Sequence, residues 1–219
     1  MMFVLVAAGI VGWWLFVRHL MAKPWEKTQS TSDDEYGGAA LAFAPARIGL
    51  WLFLAVVTSF FGLFLSAYGI RMDLGDWRPL AEPNLLWLNT VLLVLSSAAF
   101  QLTRGVARRG DVTGMKTGLL TAGVLAFAFL VGQFAAWREL EASGQYMSSN
   151  SANAFFYLLT GLHGIHLLGG LYVWGRTTSR VWRGGAALPD VRLSIQLCSI
   201  YWHYLLLVWL VLFGLLMLT

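Results

Sequence analysis

Two histidines in one apolar stretch are the side chains of this sequence best suited to chemistry. Residues 157–170 read Y-L-L-T-G-L-H-G-I-H-L-L-G-G, inside a run long enough to cross a membrane. Because a helix turns about 100° per residue, His163 and His166 lie on one face, and Gly161 and Gly164 lie on the adjoining face. One side of this helix therefore presents imidazoles and bare backbone, which lets a neighbouring helix approach closely.

A third histidine lies in another apolar run near the C-terminus, within the sequence Tyr201-Trp202-His203. Gln196, Ser199 and His203 are spaced i, i+3 and i+7, so they form a polar stripe on one face of that helix. This stripe predicts that the last helix is the partner of the helix with the paired histidines.

The three imidazoles have two possible uses inside a membrane. They could supply nitrogen ligands to Zn or Cu, because His is a usual ligand for both metals and i, i+3 spacing is feasible. They could instead hydrogen-bond between helices, since a buried polar group without a partner loses free energy. No other His, Cys, Asp or Glu lies nearby in sequence to complete a metal's ligand shells. We therefore favour interhelical hydrogen bonds and keep a membrane enzyme with its own three-histidine metal site as the alternative.

Other membrane chemistries lack the residues they need. No carboxylate lies inside an apolar run, and Glu139 and Glu141 come closest, at the end of the fourth run. This pattern argues against a carboxylate proton relay, a sodium site or a di-iron centre. The sequence also contains no phosphate-binding loop, dinucleotide fingerprint or nucleophile elbow.

The composition predicts a protein that crosses the membrane several times. Hydrophobic residues make up 58% of the 219 positions and charged residues 12%, and the mean hydropathy is +0.66. These values lie outside the range of soluble globular proteins. The 15 basic residues fall in predicted loops or near the ends of the apolar runs, where they report membrane orientation, so we expect no binding of nucleic acid.

Six apolar runs are long enough to cross a hydrocarbon core of about 30 Å, and none alternates with the period of a β-strand. The runs cover about 3–22, 46–70, 84–104, 116–138, 152–175 and 192–218. The predicted fold is an all-α, polytopic bundle of six transmembrane helices. Its organisation is an N-terminal transmembrane anchor at 1–22, a polar cytoplasmic loop at 23–45 and a five-helix body at 46–219.

The basic residues predict the orientation of these spans. If the N-terminus lies outside, twelve basic residues fall on the cytoplasmic side: Arg18, Lys23, Lys27, Arg47, Arg104, Arg108, Arg109, Lys116, Arg176, Arg180, Arg183 and Arg192. Only Arg71, Arg78 and Arg138 fall on the opposite side. This asymmetry follows the positive-inside rule and predicts both termini outside, with the loops at 23–45, 105–115 and 176–191 in the cytoplasm.

Two histidine motifs in the last two spans resemble subunit III of the haem-copper oxidases, the family of cytochrome c and quinol oxidases. The family patterns are T-G-x-H-G-x-H and W-H-F-x-D-x-V-W, and they occur here in order, as T-G-L-H-G-I-H at 160–166 and Y-W-H-Y at 201–204. The resemblance extends from about Arg47 to the C-terminus, including the Leu88–Leu93 segment and Gln133. The matching motif residues are Thr160, Gly161, His163, Gly164, His166, Gly170, Tyr201, Trp202, His203 and Trp209.

This resemblance implies a non-catalytic accessory subunit of a respiratory terminal oxidase that reduces O₂ to water. Such a subunit holds no haem or copper, which belong to the partner catalytic subunits, and we expect no catalysis by this chain alone. It packs against catalytic subunit I and other oxidase subunits, stabilises them, and shapes lipid and proton access, with a bound phospholipid possible. The expected location is a bacterial-type inner (plasma) membrane, or its organellar equivalent.

The sequence departs from the family pattern at three acidic positions. Val57 stands where the family has a carboxylate in the first helix of the common body, Ala136 replaces a Glu three residues after Gln133, and Leu206 replaces the Asp of W-H-F-x-D. Larger family members also carry two helices ahead of the common five, which form a lipid-holding cleft, whereas one is predicted here. These departures keep open a second possibility within the family, a branch associated with nitric oxide reduction.

Overall fold

Five long α-helices form the part of the chain that the computed structural model describes, which is residues 45–72, Trp77, 85–184 and 188–218. The helices are α1 (Pro45–Met72), α2 (Leu85–Arg109), α3 (Val112–Ala142), α4 (Ser151–Arg183) and α5 (Leu188–Leu218). All five are long and apolar enough to cross a membrane. The all-α, multi-pass prediction is therefore confirmed for the five-helix body, whereas the predicted span at 3–22 lies outside the described residues.

The helices are longer than the apolar runs, so the connections between them are shorter than predicted. α2 continues through Arg108 and Arg109 and stops at Gly110, whose φ of 78° favours glycine. The Asp111 side chain then accepts a hydrogen bond of 3.0 Å from the backbone N–H of Gly114, which caps the N-terminus of α3. The predicted loop at 105–115 is thus reduced to Gly110 and Asp111, because arginines at a membrane surface can stay helical.

The fourth helix also extends beyond its predicted apolar run, at its C-terminal end. α4 begins after Asn150, whose side chain accepts a 2.9 Å hydrogen bond from the backbone N–H of Asn153. It then runs for 33 residues to Arg183 and ends at Gly184, where φ is 68°. The first charged residue ended the predicted run at 175, but the helix itself continues for more than two further turns.

Four of the helices form a closed ring in which each packs on the next, in the order α2, α3, α4, α5 and back to α2. α1 lies against α4 and α5. Three glycines on α3 bring the ring together, because an added Cβ at each would overlap a neighbouring side chain. The overlapping neighbours are Thr103 and Asn89 on α2, for Gly118 and Gly132, and Trp174 on α4, for Gly123.

Large aromatic side chains fill the centre of the ring. Trp202 on α5 packs against Phe100 on α2 with a centroid separation of 4.4 Å, and Trp209 meets Phe129 on α3 edge-on at 4.9 Å. All four are completely buried, and such pairs contribute about 0.5–1.5 kcal/mol each beyond their buried area. The last helix is therefore fixed by rings that reach across the bundle.

Candidate functional site

His163 occupies the interior of the four-helix ring and is completely buried. Its imidazole lies 5.4 Å from the ring of Trp209 and 5.9 Å, edge-on, from that of Phe129, measured between centroids. Neither imidazole nitrogen has a hydrogen-bond partner among the described residues. Over those residues, the prediction that His163 hydrogen-bonds between helices is wrong, and the imidazole packs instead against two aromatic rings.

His166 points away from the ring interior, toward α1. Its Nδ1 lies 2.8 Å from the carbonyl oxygen of Leu162, one turn earlier in the same helix, and its ring lies 5.6 Å from that of Phe61. The imidazole therefore bonds within α4, and the prediction of an interhelical hydrogen bond is wrong here too. The backbone carbonyl of His166 makes the interhelical bond instead, accepting from the Tyr201 hydroxyl at 2.9 Å.

His203 does join two helices, as predicted, but its partners lie on α2. Nε2 is 3.1 Å from Gln101 Oε1, and Nδ1 bonds to the hydroxyl of Ser97. Because a carbonyl oxygen only accepts, Nε2 carries the proton and Nδ1 accepts from Ser97. Ser199 donates to the same Gln101 oxygen at 3.4 Å. The imidazole itself is exposed on the outer surface of the bundle.

The three imidazoles thus face three different surroundings: the ring interior, α1, and the outer surface between α2 and α5. Over the described part of the chain, no group of three or more His, Cys, Asp or Glu side chains is placed to hold a metal ion. A spacing of i, i+3 separates two side chains by about 60° around the helix, and here that angle directs His163 and His166 to different neighbours.

The two tryptophans of the second motif hold α5 to α2. The Trp202 indole donates to Ser96 Oγ at 2.9 Å, and Ser96 donates to the carbonyl of Ala122 on α3 at 2.9 Å. Seven residues further on, about two turns along α5, the Trp209 indole donates to Thr90 Oγ1, also at 2.9 Å. Both of these buried indole N–H groups are therefore satisfied by a hydroxyl on α2.

Gly170 lets two aromatic side chains of α5 pack against the backbone of α4. A Cβ added there would lie 2.8 Å from the ring of Tyr201 and 2.9 Å from that of Trp202. Thr160 plays a similar role toward α3, because its hydroxyl accepts a 3.1 Å hydrogen bond from the Trp137 indole. The first and second motifs therefore meet directly, at Gly170.

Two open cavities adjoin the first motif. One, of about 230 Å³, is lined by Gly161 and Gly164 on α4 and by Gln133 and Trp137 on α3. The other, of about 310 Å³, is almost entirely apolar and lies between α1, α4 and α5, with Phe53, Gly170 and Tyr201 in its wall.

Comparison with known proteins identifies the family. The family model described as "Cytochrome c oxidase subunit III" matches residues 24–218. The chain belongs to the cytochrome c oxidase subunit III family. A probable cytochrome c oxidase subunit 3 from Mycobacterium leprae is 32% identical over 174 residues, covering 76% of this chain and 84% of that protein. Cytochrome c oxidase subunit 3 from Synechocystis is 29% identical over 173 residues, covering 75% and 72% respectively. These findings confirm the family inferred from the two motifs.

The three positions at which the resemblance led us to expect acids are filled by apolar packing. Val57 is buried in a cluster where α1 residues meet Leu159 of α4 and Val208 of α5. Ala136 is completely buried within the main core, and Leu206 packs against that core. An aliphatic side chain needs no hydrogen-bond partner there, so the helices close without an ionisable group at these sites.

Sequence reasoning did not predict the pairing of two buried amides between α2 and α3. Asn89 Nδ2 donates to Gln133 Oε1 at 3.5 Å, and both side chains are buried. The available signal was an Asn inside an apolar run, because polar side chains in membrane helices mostly face other helices. Which helix Asn89 faces depends on how α2 and α3 rotate against each other.

Proposed function

We propose that this chain is a non-catalytic accessory subunit of a respiratory terminal oxidase, whose catalytic subunits hold haem and copper and reduce O₂ to water. The observation that carries this proposal is the family match across residues 24–218, together with the two motifs packed on each other at Gly170. The named relatives are oxidase subunits, so an association with nitric oxide reduction is not favoured.

The motif residues support a structural role in this proposal. α5 hydrogen-bonds to hydroxyl or amide groups on α2 through Trp202, His203 and Trp209. It packs closely against α4 at Gly170. A bundle fixed in this way offers a rigid surface on which a catalytic subunit can pack. The different surroundings of the three imidazoles disfavour a membrane enzyme with its own three-histidine metal site.

A bound phospholipid is part of the proposal. The apolar cavity of about 310 Å³ between α1, α4 and α5 has a size and lining that suit part of an acyl chain. A second, more polar cavity shares Ala46 and Leu197 with it and carries Arg180 and Asp190. Arg180 would place a positive charge near the phosphate of a lipid whose chain enters the apolar cavity.

The topology completes the proposal. We place the chain in a bacterial-type inner membrane or its organellar equivalent with both termini outside, the anchor at 1–22, the cytoplasmic loop at 23–45 and the five-helix body at 46–219. The support is the distribution of arginines, which collect at the C-terminal ends of α2 and α4. Arginines gather on the cytoplasmic side of membrane proteins.

The test is to purify the chain from its native membrane under mild detergent and identify what accompanies it. We expect an oxidase catalytic subunit in a fixed ratio, with its haem absorbance and oxygen consumption. Recovery with a nitric oxide reductase would replace the proposed enzyme, and recovery of the chain alone would contradict the accessory role.

A further inference from the structure

The outer surface between α2 and α5 carries polar side chains where a lipid-facing surface should be apolar. Gln101 and His203 are both exposed. His203 lies at the middle of the 31-residue α5, and Gln101 lies eight residues before the end of α2 at Arg109, about 12 Å along the helix. Gln101 lies inside the predicted apolar run 84–104, about 4.5 Å from its end at Arg104, and His203 lies inside the run 192–218. Both therefore lie within the predicted hydrocarbon core, where exposed polar groups are costly.

Three other exposed hydroxyl side chains within the described spans bond to their own helix. The hydroxyls of Thr58, Ser59 and Thr121 each donate to the backbone carbonyl four residues earlier. Gln101 differs, because its oxygen accepts from His203 and Ser199 while its amide nitrogen has no partner in the residues that the structure describes. An amide with two N–H donors is thus directed to whatever covers this face.

A further donor lies one turn along the same helix face. Arg104 follows Gln101 at i+3, and its Nε is buried without a hydrogen-bond partner among the described residues. We call the surface formed by Gln101, Arg104 and His203 the polar face. Its free groups are donors, because the one acceptor oxygen of Gln101 is already occupied.

We propose that the polar face is the surface on which the oxidase catalytic subunit docks, through a transmembrane helix that presents hydrogen-bond acceptors to Gln101 and Arg104. This inference rests on the proposed function and names the contact surface. Acyl chains carry no acceptors at the depth of Gln101, so lipid there leaves its amide donors unsatisfied. A second copy related by a two-fold axis brings donors against donors. A different polypeptide with backbone or side-chain oxygens fits the chemistry.

Site-specific photo-cross-linking in the intact complex tests the contact without altering the polar residues. A benzophenone amino acid is placed at Ala98 or Leu210, exposed positions that flank the polar face on α2 and α5, and at Val131 on α3 as the control. We expect adducts with the catalytic subunit from Ala98 and Leu210. Adducts there with lipid only, or with a second copy of this chain, overturn the inference whatever Val131 shows.

A substitution pair tests the donor itself. Gln101→Leu removes the amide, and we expect retention of the subunit during graded detergent washing to weaken about tenfold, the effect of roughly one interhelical hydrogen bond. Ser199→Ala is the matched control, because it removes an internal bond to Gln101 and leaves the outward donor in place. Retention of Gln101→Leu equal to that of the unaltered chain contradicts the inference.

The same preparation separates this inference from the function on which it depends. If the unaltered chain co-purifies with the catalytic subunit but Ala98 and Leu210 give no adduct with it, the function stands and the polar face is not the contact. If the unaltered chain co-purifies with no oxidase, the proposed function itself fails.

Discussion

Gly170→Ala should destabilise the contact between α4 and α5, even though alanine is a better helix former than glycine. The added Cβ would lie 2.8 Å from Tyr201 and 2.9 Å from Trp202. Ordinary carbon contacts are about 3.5 Å or longer, so both rings, or the α4 backbone, must move by roughly 0.6–0.7 Å. Trp202 is completely buried and its indole bonds to Ser96, which leaves it little freedom to move.

The expected magnitude follows from two opposing effects. Overpacking of a well-packed core costs about 1–3 kcal/mol, and replacing glycine by alanine within a helix returns up to about 1 kcal/mol. Gly169→Ala is the matched control, because a Cβ at Gly169 meets nothing within 4 Å and receives only the helix-forming gain. The stability difference between the two variants therefore isolates the steric cost, about 1–3 kcal/mol in favour of Gly169→Ala.

Thermal or detergent-induced unfolding of the two purified variants, measured side by side in the same complex, gives this difference. Gly170→Ala should unfold at a lower temperature and lower detergent concentration than Gly169→Ala. Equal stability of the two variants would refute the argument, because it would show that Tyr201 and Trp202 do not press on the backbone of α4.

Three further predictions follow from the histidines and the topology. His203→Leu removes the bonds to Ser97 and Gln101, so it should weaken subunit retention by about 1–2 kcal/mol. The complex should keep its haem spectrum and most of its initial turnover. Full retention of the subunit with no initial activity would show a catalytic histidine instead. Elemental analysis of the chain stripped from its complex should find no stoichiometric metal, and one bound Cu or Zn that disappears in His166→Ala would restore the metal-site alternative. Ser148→Cys should react with an impermeant thiol reagent from outside and Arg183→Cys should not, since both positions are exposed; the reverse pattern would invert the topology.

The apolar runs alone were enough to predict the membrane class and the five helices of the body. Length and hydropathy decide whether a segment crosses a bilayer, and both are local properties of the chain. The helix ends were predicted less well, because Arg109 and Arg183 remain helical beyond the apolar core. The family could also be inferred early, since the two histidine motifs are contiguous in sequence and the family match confirmed them.

The roles of the three histidines could not be read from the sequence. Helical periodicity put His163 and His166 near one face. Only the packing of α1, α3 and α5 around α4 placed two aromatic rings against His163 and left His166 bonded to a backbone carbonyl of its own helix. The partner of His203 likewise depended on α5 lying beside α2. A polar side chain in a membrane helix is marked by its residue type, but its partner is set by the rotation and neighbour of each helix, and these are decided by the packing of the whole bundle.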